Sequence, residues 1–164
     1  MLEELYFEDF YPGQTFDSEE SYWLTTREII GFGERYDPQP FHIDETAGQN
    51  SFFHGLAASG WLTAAIAMRQ RVQSIKVSGG MIGAGVEEMR WTKPVRPGDR
   101  IRTSSEILHT RPLATRPAYG VVRCLTTVYN QRDEVVMTSI TNFLAPLKAA
   151  PESPLNSASA SPSS

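Results

Sequence analysis

Cysteine is nearly absent from this 164-residue chain, which contains only Cys124. One cysteine cannot form an internal disulfide, so nothing in the sequence requires an oxidising compartment, and we expect a cytoplasmic protein. The three histidines, at positions 42, 54 and 109, lack the spacing of metal ligands. No glycine run has the pattern of a phosphate-binding or dinucleotide-binding loop. We therefore expect no bound metal ion and no separate cofactor.

Blocks of basic residues and long hydrophobic runs are missing as well. The formal net charge is −4, and no cluster of Lys or Arg offers a surface for nucleic acid or for an anionic membrane. Residues 49–68 are uncharged, but they include Gln, Asn, His, Ser and Thr and are too polar for a membrane span. The start, Met1-Leu2-Glu3-Glu4, lacks the basic residues and apolar run of a signal peptide. We expect no nucleic-acid partner and no membrane association.

The composition that remains is that of one globular domain. With 40% hydrophobic and 21% charged residues, the chain is long enough to bury a sizeable core. Residues 148–164 are dominated by Ala, Ser and Pro and contain almost no bulky apolar side chain. Such a segment cannot offset its ordering entropy. We expect a single domain over residues 1–147 and a disordered tail after it.

A carboxylate and an imidazole stand five residues apart in Tyr36-Asp37-Pro38-Gln39-Pro40-Phe41-His42-Ile43-Asp44. The two prolines disfavour regular helix and restrict the residues before them, which predicts a stiff loop. Asp and His are well suited to proton transfer near neutral pH, so Asp37 and His42 are candidate catalytic residues. In the alternative interpretation, Asp37 caps a turn and His42 is a packed loop histidine.

Two helices are predicted around this segment. Thr25-Thr26-Arg27-Glu28 has capping-box spacing, which predicts a short helix ending near Arg35 and delivering Asp37 into the loop. Leu56 to Val72 is rich in helix formers and uncharged until Arg69, which predicts a long buried helix. Between them, residues 45–53 show no period and are expected to run over the surface.

Strands are predicted on both sides of the long helix. Gln14 to Leu24 alternates loosely and is interpreted as a first strand. After the helix, period-two or β-branched stretches separated by Pro, Gly and Asn turns predict four more strands, joined as an antiparallel meander. These are Val86 to Lys93, a strand beginning near Ile101, Tyr119 to Tyr129 and Val135 to Leu144.

An antiparallel sheet wrapped around one long central helix is an α+β hotdog architecture. Among proteins of this architecture, the chain resembles the MaoC-like dehydratases, relatives of the (R)-specific enoyl-CoA hydratases. The Asp37-to-His42 segment is similar to the family's Gly-Asp-x-Asn-Pro-x-His signature. Ala58-Ser59-Gly60-Trp61-Leu62 resembles its Ala-His-Gly-Met-Leu helix start, and Lys93-Pro94-Val95-Arg96-Pro97-Gly98-Asp99 its strand and turn. The resemblance covers about residues 5–147. Tyr36 and Gln39 depart from the signature Gly and Asn.

The resemblance implies a hydratase or dehydratase acting on 2-enoyl-CoA or 3-hydroxyacyl-CoA thioesters. Asp37 and His42 would hold and activate the water, and the Gly60 amide, at the start of the long helix, would donate to the thioester oxygen. Gln39, Trp61 and Thr63 are further candidate substrate-binding residues. Coenzyme A would be part of the substrate. The resemblance also implies a homodimer with the acyl channel between its subunits.

Other interpretations stay open at several of these residues. Gly60 is equally typical of a helix-packing contact, Thr63 of a hydroxyl bonded within its own helix, and Trp61 and Trp91 of core residues. Lys93 and Arg96 are either partners of coenzyme A phosphates or part of a solvated turn. His54, although followed by Gly55, is expected to be a surface histidine without a catalytic role.

Two other functions also remain open. A hotdog thioesterase would need only a carboxylate and a helix amide. A non-catalytic acyl-CoA or acyl-carrier binding module would account for the changes at Tyr36 and Gln39. Free thiol released from acyl-CoA would indicate the former, and thermal stabilisation by CoA esters without turnover the latter.

Overall fold

This computed structural model describes residues 3–149. The described part of the chain forms four α-helices and a single sheet. The predicted cap of the first helix is confirmed, because the Thr25 hydroxyl accepts from the Glu28 amide at 3.2 Å. The helices are α1 Thr26–Tyr36, α2 Pro40–Ile43, α3 Glu45–Gln49 and α4 Gly60–Ser74, with a short 3-10 turn at Phe7–Asp9. None of them combines the length and the apolar character that a membrane crossing demands. Nearly all of the predicted tail, residues 150–164, lies outside the described residues.

Six antiparallel strands form the sheet in the described part of the chain. Its order is β1-β4-β5-β6-β3, and β2 also pairs with β4. The period-two prediction for β4 is confirmed, since Ile101, Thr103, Ser105 and Ile107 are all buried. The strands are β1 Thr15–Asp17, β2 Tyr22–Trp23, β3 Ile82–Trp91, β4 Arg100–Pro112, β5 Tyr119–Tyr129 and β6 Val135–Pro146.

The core lies mainly between α4 and the sheet. Leu62 and Ile66 of α4 pack with Ile101, Val128 and Val136 from the strands, all at most 5% exposed. A second cluster at the other end of the sheet includes Phe10, Ile107, Val122 and Phe143. Burial of these apolar side chains holds the helix against the sheet, and it thereby places the N-terminus of α4 beside the Asp37 segment.

The predicted four-strand meander is wrong in its first strand. β3 pairs with β6 at the far edge, so only β4, β5 and β6 form the meander. The reason lies in the connection after β3: the Ala58 amide donates to Val95 at 2.8 Å, and the Gly98 amide donates to Leu24 at 2.8 Å. These bonds carry the chain past the start of α4 instead of turning it back in a hairpin. The first strand is also wrong, because the predicted span is broken into β1 and β2.

Three local predictions need correction around the helices. The segment with two prolines contains α2, because Pro40 occupies the first helical position, where a missing N–H costs nothing. Residues 45–53 contain α3, which is capped by the Asp44 carboxylate at 2.6 Å from the Ala47 amide. The long helix starts at Gly60 rather than Leu56, since the amides before it bond to other segments, as Ala57 does to Phe41 at 3.0 Å.

Candidate active site

Asp37 and His42 lie side by side. Asp37 lies at the end of α1, where the sequence placed it, and as the C-cap its amide donates to the Gly33 carbonyl at 2.9 Å. His42 lies on α2, which turns the ring back towards α1, and its Nε2 is 3.4 Å from Oδ2 of Asp37. The side chains are 8% exposed for His42 and 23% for Asp37. The two candidate catalytic side chains therefore form one partly open site.

The tautomer of His42 follows from its second nitrogen. Nδ1 lies 2.6 Å from the Ala57 carbonyl oxygen, in a buried contact. A carbonyl oxygen only accepts, so Nδ1 carries the hydrogen and donates it. In the neutral ring, Nε2 is then unprotonated and presents its lone pair on the side of Asp37. Two acceptors consequently converge at this point.

Ser59 is a site residue to which the sequence reasoning assigned no role. The Ser59 hydroxyl donates to Oδ2 of Asp37 at 2.7 Å, and the Ser59 hydroxyl oxygen accepts from the Trp61 amide at 3.3 Å. Ser59 is fully buried and is the N-cap of α4. The preference of serine for the N-cap position is a local signal for a helix start at Gly60, which the prediction of a helix from Leu56 did not use, and nothing local indicated Asp37 as the partner of Ser59. Thr63, the next hydroxyl along α4, makes no hydrogen bond to Asp37 among the described residues.

The start of α4 leaves one amide donor free for a ligand. The Trp61 amide bonds to the Ser59 hydroxyl, and the Leu62 and Thr63 amides bond to the Ser59 carbonyl at 3.0 and 3.2 Å. The Gly60 amide has no such partner among the described residues. A free N–H at a helix N-terminus is a donor for developing negative charge.

The absence of a side chain at Gly60 is explained by Trp91. A Cβ at Gly60 would lie 2.5 Å from the Trp91 ring, and the indole donates to the Gly60 carbonyl at 2.8 Å. The packing interpretation of Gly60 is thus supported, and it is compatible with a free amide at the same residue. The interpretation of Trp61 and Trp91 as core residues is wrong. Their exposed fractions are 60% and 44%, and their rings meet edge to face with centroids 5.2 Å apart.

A cavity of about 360 Å³ brings these groups together. Asp37, His42, Gly60, Trp61 and Thr63 all line it, together with Phe52, Phe53, Ala58, Trp91, Thr92, Lys93, Pro94 and Val95. Gln39 is the predicted site residue that the structure does not bring to the cavity. Its side chain is exposed, and its carbonyl accepts from the His42 amide at 2.9 Å.

Comparison with known proteins places this arrangement in a family. The model of the MaoC-like domain matches residues 9–129, three quarters of the chain, including every cavity residue named so far. The chain belongs to the MaoC-like domain family. Its sheet around a central helix is the hotdog fold, so the predicted family and α+β fold class are confirmed.

Three relatives illustrate the match. The crystal structure of a MaoC-like dehydratase from Rhodospirillum rubrum is 41% identical, with a TM-score of 0.83 over 88% of this chain and 99% of that chain. The uncharacterized protein YdeM of Bacillus subtilis is 31% identical over 77% of this chain and 88% of its own length. The R-hydratase PhaJ1 from Pseudomonas aeruginosa is similar in fold, with a TM-score of 0.71, 88% coverage of both chains and 23% identity.

The basic residues of this MaoC-like domain near the cavity are engaged within the chain. Lys93 forms an ion pair with Glu134. The Arg96 guanidinium donates to the carbonyls of Phe53 and Leu56, so it ties down the segment leading to α4. His54 is exposed, as expected, with a φ of 50°. In residues 3–149, no group of three His, Cys, Asp or Glu side chains is arranged to hold a metal ion.

Proposed function

We propose that this MaoC-like protein adds water to 2-enoyl-CoA thioesters with R specificity, and in reverse dehydrates 3-hydroxyacyl-CoA. The observation that carries the proposal is the 3.4 Å approach of Nε2 of His42 to Oδ2 of Asp37 beside the free Gly60 amide. Two of the similar proteins, the MaoC-like dehydratase from Rhodospirillum rubrum and the R-hydratase PhaJ1, are named for this class of reaction. Hydration needs two acceptors to hold a water and one donor for the thioester oxygen. Asp37 and His42 are the two acceptors, and the Gly60 amide is the donor.

The pair of acceptors suits a single water molecule. An ionised carboxylate and an unprotonated Nε2 each accept one hydrogen, so a water that donates one hydrogen to each is held with its lone pairs facing the cavity. Nδ1 is already engaged with Ala57, and Oδ2 already accepts from Ser59, which restricts both side chains in orientation. Holding the nucleophile in this way lowers the entropy lost in reaching the transition state.

The proton balance closes within this pair. The water oxygen bonds to C3 of the enoyl group while one of its hydrogens passes to the Asp37 and His42 pair. Electrons of the double bond move towards the thioester, whose oxygen accepts from the Gly60 amide. A proton from the pair then reaches C2, so one H and one OH have been added. Positioned acid-base groups contribute about 10²- to 10⁴-fold, and one oxyanion donor roughly 10²- to 10³-fold.

Crotonyl-CoA is the substrate for the direct test. The protein should consume its enoyl absorbance, and Asp37→Asn and His42→Gln should each abolish turnover while the folded structure persists by circular dichroism. Asp133→Asn and His109→Gln are matched controls, since both residues are exposed and neither lines the cavity. Full activity in both site variants would refute the proposal.

The same assay distinguishes the alternatives. Release of free thiol from saturated acyl-CoA would indicate a thioesterase, and thermal stabilisation by CoA esters without turnover would indicate a binding module. Gln39, one of the two changes that suggested lost catalysis, has an exposed side chain that does not line the cavity, so its identity does not alter the acid-base pair directly. A coenzyme A thioester as the small-molecule partner, the lack of a separate cofactor and a cytoplasmic location belong to this proposal as predictions.

We further propose a homodimer formed through β3. This strand lies at the edge of the sheet, and Ile82, Val86 and Trp91 on it are exposed apolar residues. Exposed apolar side chains of α4, Trp61, Met68 and Val72, extend the apolar surface. An open edge strand of this kind pairs readily with another chain. Light scattering should give twice the chain mass, and Val86→Lys should reduce it to one, whereas Thr110→Lys, on β4, should not. A wild-type monomer at micromolar concentration would contradict the dimer.

A further inference from the structure

Arg71, on the last turns of α4, is a buried cation without a counter-ion. It is 4% exposed, and no carboxylate lies within ion-pair distance of it among residues 3–149. Its Nη1 donates to the Thr141 hydroxyl at 2.6 Å, and its Nη2 lies 3.6 Å from the Met68 sulfur. Its Nε has no hydrogen-bond partner in the described part of the chain. The centroid of the Phe143 ring lies 5.9 Å from the guanidinium carbon.

Such a group is costly unless a ligand completes it. A buried charge without a partner is unfavourable, and desolvation accordingly lowers the pKa of the Arg71 guanidinium from its usual value. An arginine presents a fork of N–H donors that matches a carboxylate. Among residues 3–149, the Arg71 Nε has no acceptor and the guanidinium has no carboxylate beside it. Both observations point to the same kind of ligand, an anion with planar oxygen acceptors.

A groove beside α4 is lined by Arg71 and by Trp61 of the candidate active site. Beside α4 lies a cavity of about 300 Å³, with Trp61 at one end and Arg71 at the other. Its helix side is formed by small and apolar residues, and its floor by strands β3, β5 and β6; these residues are Ala64, Ala65, Ala67, Met68, Val86, Met89, Thr126, Met137, Ser139 and Thr141. Trp61 also lines the Asp37 and His42 cavity, so the two cavities share this side chain as part of their walls.

We propose that this groove, which the second chain of the proposed dimer would cover, binds the acyl chain of a thioester whose far end carries a carboxylate, and that Arg71 binds that carboxylate. This inference rests on the proposed function, because it takes the thioester to lie at Gly60. The apolar walls suit the methylene groups, and the charged end suits an anion. A neutral acyl chain of the same length would leave the guanidinium unpaired. The protein should therefore prefer acyl groups derived from dicarboxylic acids.

The length of the chain follows from helix geometry. The Arg71 guanidinium reaches back to the level of Met68, eight residues after Gly60, as long helical side chains do. At 1.5 Å per residue, the two points are about 12 Å apart along the helix. An extended chain advances about 3.5 Å for every three bonds, so about ten bonds span this distance. The preferred acyl group therefore has about ten carbon atoms.

Saturated thioesters test binding apart from catalysis. Titration calorimetry would compare decanoyl-CoA with the CoA monothioester of decanedioic acid, neither of which can be hydrated. We expect the carboxylated thioester to bind about 10- to 100-fold more tightly, the range for a hydrogen-bonded charge. Arg71→Met should remove the preference, and Arg71→Lys should retain part of it. Arg69→Met, an exposed arginine on the same helix, is the matched control and should keep the preference.

Several outcomes would overturn the inference. Equal or inverted binding of the two thioesters by the wild-type protein would do so. So would an Arg71→Met variant that keeps the preference, or one that loses the dimer in light scattering without a change in binding, since the partner of Arg71 would then be the second chain. Turnover of crotonyl-CoA is a separate readout. Turnover without a preference for the carboxylated thioester refutes only this inference, whereas that preference without turnover refutes the proposed hydratase activity.

Discussion

The Ser59 hydroxyl donates to Oδ2 of Asp37 over 2.7 Å, across 22 residues of sequence. Because Ser59 also caps α4, this one bond joins the end of α1 to the start of the central helix. The free Gly60 amide is the next residue along. The position of the carboxylate relative to the oxyanion donor is therefore set largely by Ser59, in addition to the approach of His42.

Ser59→Ala tests that positioning. A hydrogen bond to a charged group is worth about 1.5–3 kcal/mol, so we expect kcat with crotonyl-CoA to fall about 10- to 100-fold. Binding of butanoyl-CoA, measured by calorimetry, should change much less, since Ser59 does not line the cavity. Ser74→Ala is the control, because Ser74 bonds to the Arg71 carbonyl at the other end of the same helix. Equal losses in both variants would show a general effect on α4.

Gly33 controls the distance between α1 and α2. A Cβ there would lie 2.8 Å from the His42 carbonyl oxygen and 2.9 Å from the Ile43 side chain, so α2 and His42 would have to move. We expect Gly33→Ala to destabilise the protein by about 1–3 kcal/mol through overpacking and to reduce turnover. Gly31→Ala, on the same helix, meets open space and should be neutral or stabilising by up to about 1 kcal/mol. Thermal unfolding and crotonyl-CoA turnover check both; a tolerated Gly33→Ala would contradict the tight approach.

Arg96 is expected to act on stability rather than on coenzyme A binding. Its guanidinium donates to the Phe53 and Leu56 carbonyls, which fixes the segment that supplies the Ala57 contact to His42. Arg96→Met should cost about 2 kcal/mol and lower Tm by about 4–8 °C. Arg116→Met, exposed in the β4–β5 loop, is the control. If Arg96→Met keeps the wild-type Tm but weakens binding of acyl-CoA in a salt-dependent manner, the phosphate interpretation is the correct one.

The lowered pKa of Glu134 predicts that part of the protein's stability depends on pH. The Lys93 ammonium, with the Asn130 amide and the Arg132 guanidinium, lowers the pKa of Glu134 from 4.5 to about 2. Because the folded state favours the ionised carboxylate, this stabilisation is fully present above pH 4.5 and is lost as the pH falls towards about 2. The difference in Tm between wild type and Glu134→Gln should therefore be larger at about pH 6 than at about pH 3. Lys93→Met should show the same trend; a difference that is constant with pH would contradict the ion pair.

Sequence reasoning succeeded where the interactions are local. The Thr25 cap, the period of two in β4 and the extent of β5 depend on neighbouring residues, and all three predictions are confirmed. It failed where distant backbone bonds competed with local preference, as at Leu56 to Ser59. That stretch has helical composition, but it is not helical because Ala57 and Ala58 donate to Phe41 and Val95.

The sequence by itself determined the carboxylate and imidazole five residues apart, the glycine at a helix start and, through these motifs, the family. Only the tertiary structure decided that Ser59 rather than Thr63 bonds to Asp37, that Ala57 selects the His42 tautomer and that β3 pairs with β6. It also decided that Arg71 lies buried with no counter-ion among residues 3–149. Each of these depends on which remote segments become neighbours, and that is settled by packing of the whole core rather than by any local preference of the chain.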